Sequence, residues 1–70
     1  MNKSLITNKV RYFRFHSDEM TQQQLAEKAG ATRQTIHHIE TGKYSPSLEL
    51  AFKIAKVFNV PLEEVFQYKM

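Results

Sequence analysis

The chain has 70 residues, no cysteine and a net charge of +3, and these totals exclude several classes of protein. Seventy residues allow one small domain, predicted to span residues 1–70, while the absence of cysteine excludes disulfides and thiolate zinc sites. The surplus of positive charge suits a polyanionic partner. No apolar run approaches the roughly 20 residues of a membrane span, and the N-terminus lacks a secretory core. We therefore expect no membrane contact and a cytoplasmic location.

The first predicted helix lies near the N-terminus, where residues follow a spacing of three and four. Its inward positions are Ile6, Val10, Phe13 and Ser17. Thr7 or Asn8 is suited to cap its start, and Asp18 is suited to end it because aspartate tolerates a left-handed backbone. No segment alternates over enough residues to predict a central strand.

A second helix is predicted over about residues 21–29. Thr21 and Gln24 have the T-x-x-Q spacing of a capping box, in which each side chain bonds the backbone of the other residue. Gly30 is placed to stop the helix, because glycine readily adopts the left-handed conformation that commonly ends helices.

A third helix follows after only a short turn, over about residues 32–41, with Thr32 as its cap and Gly42 as its stop. The inward anchors of the second and third helices are Leu25, Ala26, Ala29, Ile36 and Ile39. Two short helices joined by a tight turn containing glycine form a helix-turn-helix. Ala26 is small enough to let the two helices cross closely, so the pattern favours this motif strongly.

The fourth helix, predicted over about residues 47–58, is apolar around most of its circumference. Its apolar residues are Leu48, Leu50, Ala51, Phe52, Ile54, Ala55, Val57 and Phe58. It is therefore predicted to be the central and most buried helix. Asn59 is suited to a left-handed stop, and Pro61 to the first turn of a last short helix over about 61–66. The predicted fold is all-α with five helices.

The third helix has one exposed polar face without an acidic residue. With Ile36 and Ile39 pointing inward at about 100° per residue, Gln34 lies nearly opposite them. The predicted recognition face comprises Arg33, Gln34, His37 and His38. An α-helix fits the major groove of DNA, where arginine pairs with guanine and glutamine with adenine.

These positions predict two kinds of contact with double-stranded DNA. The residues predicted to contact bases are Thr32, Arg33, Gln34 and His38. The residues predicted to contact the sugar-phosphate backbone are Gln22, Thr35, His37, Lys43 and Tyr44. Backbone contacts position a protein on the duplex, whereas base contacts supply sequence preference.

Glu40 lies on the margin of the third helix, close to the core, and a carboxylate there needs a partner. Arg14 occupies the matching margin of the first helix beside Val10 and Phe13. We therefore predict a structural ion pair between Arg14 and Glu40.

Other chemistry is not supported by the pattern. Adjacent His37 and His38 diverge by about 100° on a helix, whereas helical chelators use residues four apart, so no metal site is predicted. The hydroxyls of Thr32, Thr35 and Ser45 have no evident proton relay, so no enzymatic activity, cofactor or small-molecule ligand is expected. Protonation of the two histidines should strengthen contact with phosphates.

Roughly residues 8–68 resemble a known family, and the stretch from residue 19 to residue 66 carries the resemblance. It reads EMTQQQLAEKAGATRQTIHHIETGKYSPSLELAFKIAKVFNVPLEEVF and is similar to the Cro-like, phage-repressor class of helix-turn-helix transcriptional regulators, the xenobiotic-response-element family. The resemblance implies a five-helix, lambda-repressor-like domain, DNA binding, dimer formation and the Arg14–Glu40 pair. Asp18 and Asn59 stand where members usually have glycine, which should cost some stability.

The resemblance also implies a homodimer on a palindromic operator, and we expect a repressor. Val65, Phe66 and Tyr68 are predicted as dimer contacts, because the end of the chain has little left to pack against. Tyr12 and Phe15 lie off the inner face of the first helix and are either the edge of the core or part of a self-association surface. The alternative function is an antitoxin-type or other interaction module whose main partner is a protein.

Overall fold

The computed structural model describes residues 5–69, which form five α-helices and a two-stranded antiparallel sheet. In chain order the elements are β1 (Ile6–Asn8), α1 (Val10–Phe15), α2 (Gln22–Ala29), α3 (Arg33–Glu40), α4 (Leu48–Phe58), α5 (Leu62–Val65) and β2 (Phe66–Tyr68). The predicted five-helix architecture is confirmed, with the small sheet as an addition. Within residues 5–69 there is no helix with the length and apolar character that a membrane crossing requires.

The sheet joins the two ends of the described chain. Ile6 pairs with Tyr68 and Asn8 with Phe66, and the backbone N–H of Lys9 donates to the carbonyl of Val65 over 2.8 Å. The prediction that Ile6 lies on the inward face of the first helix is therefore wrong. Its backbone is extended because it pairs with Tyr68. The sequence could not predict this strand, because its partner lies some sixty positions away and three residues are too few for a visible alternation.

Helix α1 is shorter than predicted and starts at Val10. The side-chain oxygen of Asn8 accepts a hydrogen bond of 3.1 Å from the Val10 N–H, so Asn8 satisfies one N–H of the first turn. Ser17, predicted as an inward helical position, lies beyond the helix end at Phe15. Asp18 has a φ of 62°, as the sequence predicts, and Glu19 follows with a φ of 55°.

The helix-turn-helix forms as predicted. Thr21 and Gln24 make both hydrogen bonds of the capping box, and Gly30 ends α2 with a φ of 73°. Thr32 caps α3 through a bond of 3.1 Å from the N–H of Thr35. Gly42 follows α3 with a φ of 80°. Both glycines therefore occupy conformations that other residues adopt only with strain.

The core lies between α2, α3, α4 and the two chain ends. Its buried residues are Val10, Leu25, Ala26, Ala29, Ile36, Ile39, Ala51, Ile54, Ala55 and Val65. Val65 is 0% exposed, so its predicted role as a dimer contact is wrong: the side chain is already enclosed by its own protomer. Helix α5 also ends at Val65, and the predicted helical residue Phe66 begins β2.

Helix α4 is buried on one side only. Ala51, Ile54 and Ala55 face the core, whereas Leu48 is 68% and Phe52 is 54% exposed. The prediction of α4 as the most buried helix is therefore wrong, since three of its 11 residues are buried against three of the eight in α2. The neighbours of α4 are chiefly α2 and α5, which leave the side of Leu48 and Phe52 uncovered in the monomer. Asn59 ends this helix with a φ of 59°, as predicted.

Candidate nucleic-acid interface

Helix α3 is fixed by two fully enclosed side chains. Ile36 and Ile39 are 0% and 1% exposed, so the opposite side of the helix must point outward. On that side Arg33, Gln34 and His37 are exposed, while His38 is partly buried. These four side chains line one shallow depression, which is the recognition face predicted from the sequence. Their proximity is thus established, whereas their contacts with DNA remain predictions.

Thr32 and Thr35 form the N-terminal edge of this face. The Thr32 hydroxyl accepts from the Thr35 N–H, and the two hydroxyl oxygens lie 2.9 Å apart. Thr32 is exposed at the start of the helix, where a phosphate or a base edge could approach it. Thr35 is partly buried and its hydroxyl already bonds to that of Thr32. A DNA contact by Thr35 would therefore have to share this hydroxyl.

His37 and His38 are not arranged as a chelating pair. Their ring centroids lie 6.0 Å apart and the ring planes are inclined by 51°. Within residues 5–69, no group of three His, Asp or Glu side chains could hold a metal ion. The two rings also have different neighbours. His37 lies beside Gln22 of α2, and His38 does not share that contact.

Gln22 links α2 to two side chains of α3. Its amide nitrogen donates to a carboxylate oxygen of Glu40 over 3.2 Å and lies 3.4 Å from Nδ1 of His37. The sequence predicts Gln22 only as a backbone contact for DNA and misses this link. Since its amide nitrogen already donates to Glu40, a DNA contact by this group would have to share or replace that bond.

Arg14 and Glu40 form the predicted ion pair. Nε of Arg14 lies 2.6 Å from one oxygen of Glu40, and Nη2 donates to the other over 3.0 Å. The two side chains are only 13% and 8% exposed. Nη1 of Arg14 donates to the Met20 carbonyl over 2.8 Å, so one guanidinium joins α1, the turn after α1, and α3. Bidentate geometry of this kind fixes orientation as well as distance.

Lys43 and Tyr44 follow the end of α3 directly. Both are exposed, and the Lys43 N–H donates to the carbonyl of His38 over 3.0 Å. This backbone bond, together with Gly42, directs the chain away from the helix axis just beyond the recognition face. The two side chains are therefore near the end of that face, in the region where backbone contacts are predicted.

A third connection to α3 was not predicted from the sequence. The amide nitrogen of Asn8 donates to the backbone carbonyl of Ile39 over 2.9 Å. The same carbonyl accepts from the N–H of Gly42 over 3.1 Å. The sequence predicts Asn8 only as a candidate cap of the first helix, and nothing in the local pattern identifies Ile39 as its partner.

Comparison with known proteins agrees with this geometry. A family model described as helix-turn-helix matches residues 18–65. A regulator from Methanocaldococcus jannaschii, described as an uncharacterized HTH-type transcriptional regulator, is 56% identical over 63 residues, covering 89% of this chain and 92% of the relative. A regulator of the same description from Archaeoglobus fulgidus is 57% identical over 47 residues, covering 67% of each chain.

The fold has a counterpart among solved structures. A candidate DNA-binding protein from Bacteroides fragilis superposes with a TM-score of 0.75 at 26% identity, covering 89% of this chain and 98% of the other. The matched family model includes both α2 and α3, together with the turn at Gly30. From the motif, its geometry and these similarities, the chain belongs to the Cro/C1-type helix-turn-helix family.

Proposed function

We propose that this chain is a sequence-specific regulator of transcription that binds double-stranded DNA through α3 in the major groove. It would act as a single domain and as a homodimer on a palindromic operator. The observation that supports this most directly is the recognition face: four outward polar side chains on one helix, without an intervening carboxylate. Relatives described as HTH-type transcriptional regulators support the same function.

The base contacts are proposed for Thr32, Arg33, Gln34 and His38. Arg33 and Gln34 are exposed in the first turn of α3, where long side chains reach the groove floor while the helix N-terminus favours phosphate. His38, one turn further, is partly buried and so has less freedom than an exposed ring. This reduced freedom suits a contact that requires a fixed direction.

The backbone contacts are proposed for Gln22, Thr35, His37, Lys43 and Tyr44. Lys43 is the simplest of these, because an exposed ammonium after α3 attracts phosphate without regard to sequence. Tyr44 is 47% exposed and could donate its hydroxyl to a phosphate oxygen. Gln22 and His37 contact each other, so we propose that they approach one phosphate together.

The dimer contacts are proposed for Phe66 and Tyr68, without Val65. Tyr68 is 63% exposed on β2, and Phe66 and Tyr68 line an almost wholly apolar depression together with Ile6 and Leu62. A two-fold axis near this surface would bury these side chains and place two recognition helices about 34 Å apart, one turn of DNA. Occupancy of an operator that overlaps a promoter would then repress transcription.

Selection of bound duplexes from a random pool, followed by sizing of the complex, tests this proposal. We expect an enriched sequence made of two inverted half-sites and a complex of two protein chains per duplex. Tyr68→Glu should weaken self-association, whereas Tyr12→Glu, at a 55% exposed tyrosine on α1, should not. Failure to enrich any sequence would contradict sequence-specific binding, and one chain per duplex would contradict the homodimer.

A protein-interaction module is the second candidate, and the exposed apolar side chains of α4 favour it. Leu48 and Phe52 lie one turn apart and are 68% and 54% exposed, as expected of a surface that a partner covers. A partner that remains bound at high salt without DNA, and is lost on Phe52→Ser, would support this function. Enrichment of a duplex by the isolated chain would favour DNA binding instead.

A further inference from the structure

A second depression lies beside the recognition face, between α1, α2 and α3. His37 lines both depressions, so the two are contiguous at the surface. The second depression has a volume of about 450 Å³. Besides His37, the residues that line it are Arg11, Arg14 and Phe15 of α1, Gln22 of α2, and Glu40 and Thr41 at the end of α3. The sequence pattern predicts Phe15 only as a core-edge or self-association residue and predicts no role for Arg11.

The charges in this depression do not cancel. The guanidinium of Arg14 and the carboxylate of Glu40 neutralise each other through their bidentate pair. Arg11 is exposed and, among the described residues, has no carboxylate within the 4.0 Å of an ion pair. His37 at the rim adds no negative charge, so the depression attracts anions.

The side chain of Arg11 has an aromatic neighbour one turn further along α1. Its guanidinium carbon lies 5.5 Å from the centroid of the Phe15 ring, within the range of a cation–π contact. Phe15 is 55% exposed, so a face of its ring is accessible to the arginine at the surface. The ring restricts the arginine without using its N–H donors, so those donors remain available to an anion.

We propose that Arg11 binds a backbone phosphate of the duplex whose bases contact the recognition face, and that Phe15 positions it. This inference rests on the proposed function, because it requires DNA to be seated on α3. A helix in the major groove has a phosphate backbone along each of its sides, and α1 lies next to the C-terminal half of α3. The phosphate bound by Arg11 would therefore be distinct from those near Lys43.

A phosphodiester fits this depression better than a base edge. The Arg14–Glu40 pair closes its inner side and leaves Arg11 at the rim, so the reach of Arg11 is outward and not into the groove floor. Arginine holds phosphate through two parallel N–H bonds, which an adjacent ring helps to orient. Contact of this kind adds affinity for every sequence and adds no base preference.

The dependence of DNA affinity on salt tests the proposal. For the wild type and Arg11→Gln, dissociation constants would be measured on the selected duplex and on random duplex at several salt concentrations. We expect Arg11→Gln to weaken both complexes alike and to reduce the slope of log affinity against log salt by about 0.9, the value for one phosphate. Arg11→Lys keeps the charge and should keep the slope.

Lys28→Gln provides the matched control, because it removes one exposed positive charge from a depression that shares no residue with the recognition face. Its slope should equal that of the wild type. Ethylation of single phosphates should further reveal one position that weakens the wild-type complex and has no effect on Arg11→Gln. Circular dichroism melts of each variant would show that the fold is retained.

An unchanged slope for Arg11→Gln, or an equal decrease for Lys28→Gln, would overturn the proposal while leaving DNA binding intact. The proposal would also be overturned if every phosphate whose ethylation weakens the wild-type complex also weakened the complex of Arg11→Gln. A wild-type chain that binds no duplex at any salt concentration would instead contradict the proposed function, and this inference with it.

Discussion

The side-chain amide of Asn8 donates a hydrogen bond of 2.9 Å to the backbone carbonyl of Ile39, 31 residues away in sequence. Asn8 also accepts from the Val10 N–H through its other side-chain atom. One residue at the end of β1 therefore satisfies the first N–H of α1 and holds the last turn of α3. The recognition helix is thus connected to the N-terminal strand as well as to its own partner helix.

Replacement of Asn8 by aspartate should destabilise the protein by about 1–3 kcal/mol. Aspartate keeps the oxygen that accepts from Val10, but it sets a second oxygen against the Ile39 carbonyl in place of a donor. Denaturation by urea at neutral pH measures the loss of free energy of unfolding. Gln24→Glu is the matched control, because it retains the oxygen that accepts from the Thr21 N–H. Equal stability of Asn8→Asp and the wild type would contradict the assigned donor.

The helix-turn-helix could be predicted from the sequence because its signals are local. Thr21, Gly30 and Thr32 act on backbone groups within three or four residues, so their pattern determines where α2 and α3 start and stop. The outward direction of Gln34 follows from Ile36 and Ile39 by helical geometry alone. These parts of the fold and of the recognition face needed no knowledge of distant contacts.

The chain ends could not be predicted, because their structure depends on each other. Ile6 takes an extended backbone only because Tyr68 lies opposite, and a three-residue strand is too short for its alternation to be recognised. The sequence predicts Val65 at a dimer surface because nothing in the local pattern shows that it joins Val10 in the core and that its carbonyl accepts from Lys9. A periodic pattern reports only which residues share a face of one element, so it cannot predict which distant strand pairs with it.

Removal of the guanidinium by Arg14→Ala should lower the free energy of unfolding by about 3–5 kcal/mol. The carboxylate of Glu40, only 8% exposed, would lose its charged partner, and the Met20 carbonyl would lose a donor. A thermal melt should show a clear decrease of the transition temperature. An unchanged transition would contradict a structural role for the pair.

Two controls separate this effect from a general loss of charge. Lys53→Ala removes the exposed partner of Glu49, which lies 3.5 Å away, and should change stability by less than about 0.5 kcal/mol. Combining Arg14→Met with Glu40→Met removes both charges and should recover part of the loss, because no unpaired buried charge remains. A double variant as unstable as Arg14→Ala would mean that packing, and not the unpaired charge, dominates.

Replacement of Gln34 or Arg33 by alanine should relax base preference at one position of the operator and weaken binding to it by about 1–3 kcal/mol. Both side chains are exposed on α3, so the fold should be unaffected. Dissociation constants on the selected duplex and on its single-base variants measure the change. Lys43→Ala, at a proposed phosphate contact, should weaken all sequences alike. If all three variants lost affinity equally on selected and random DNA, the division between base and backbone contacts would be wrong.

If the charged rings of His37 and His38 bind phosphate, DNA affinity should be higher at pH 5.5 than at pH 8, because phosphates favour the charged form of histidine. His37 and His38 both line the recognition face. In the double variant His37→Gln, His38→Gln, the DNA affinity at constant salt should therefore depend much less on pH. His16→Gln removes an exposed ring that lies against Tyr12 on α1 and should retain it. A wild-type affinity that stays constant over this range would show that neither ring binds phosphate in its charged form.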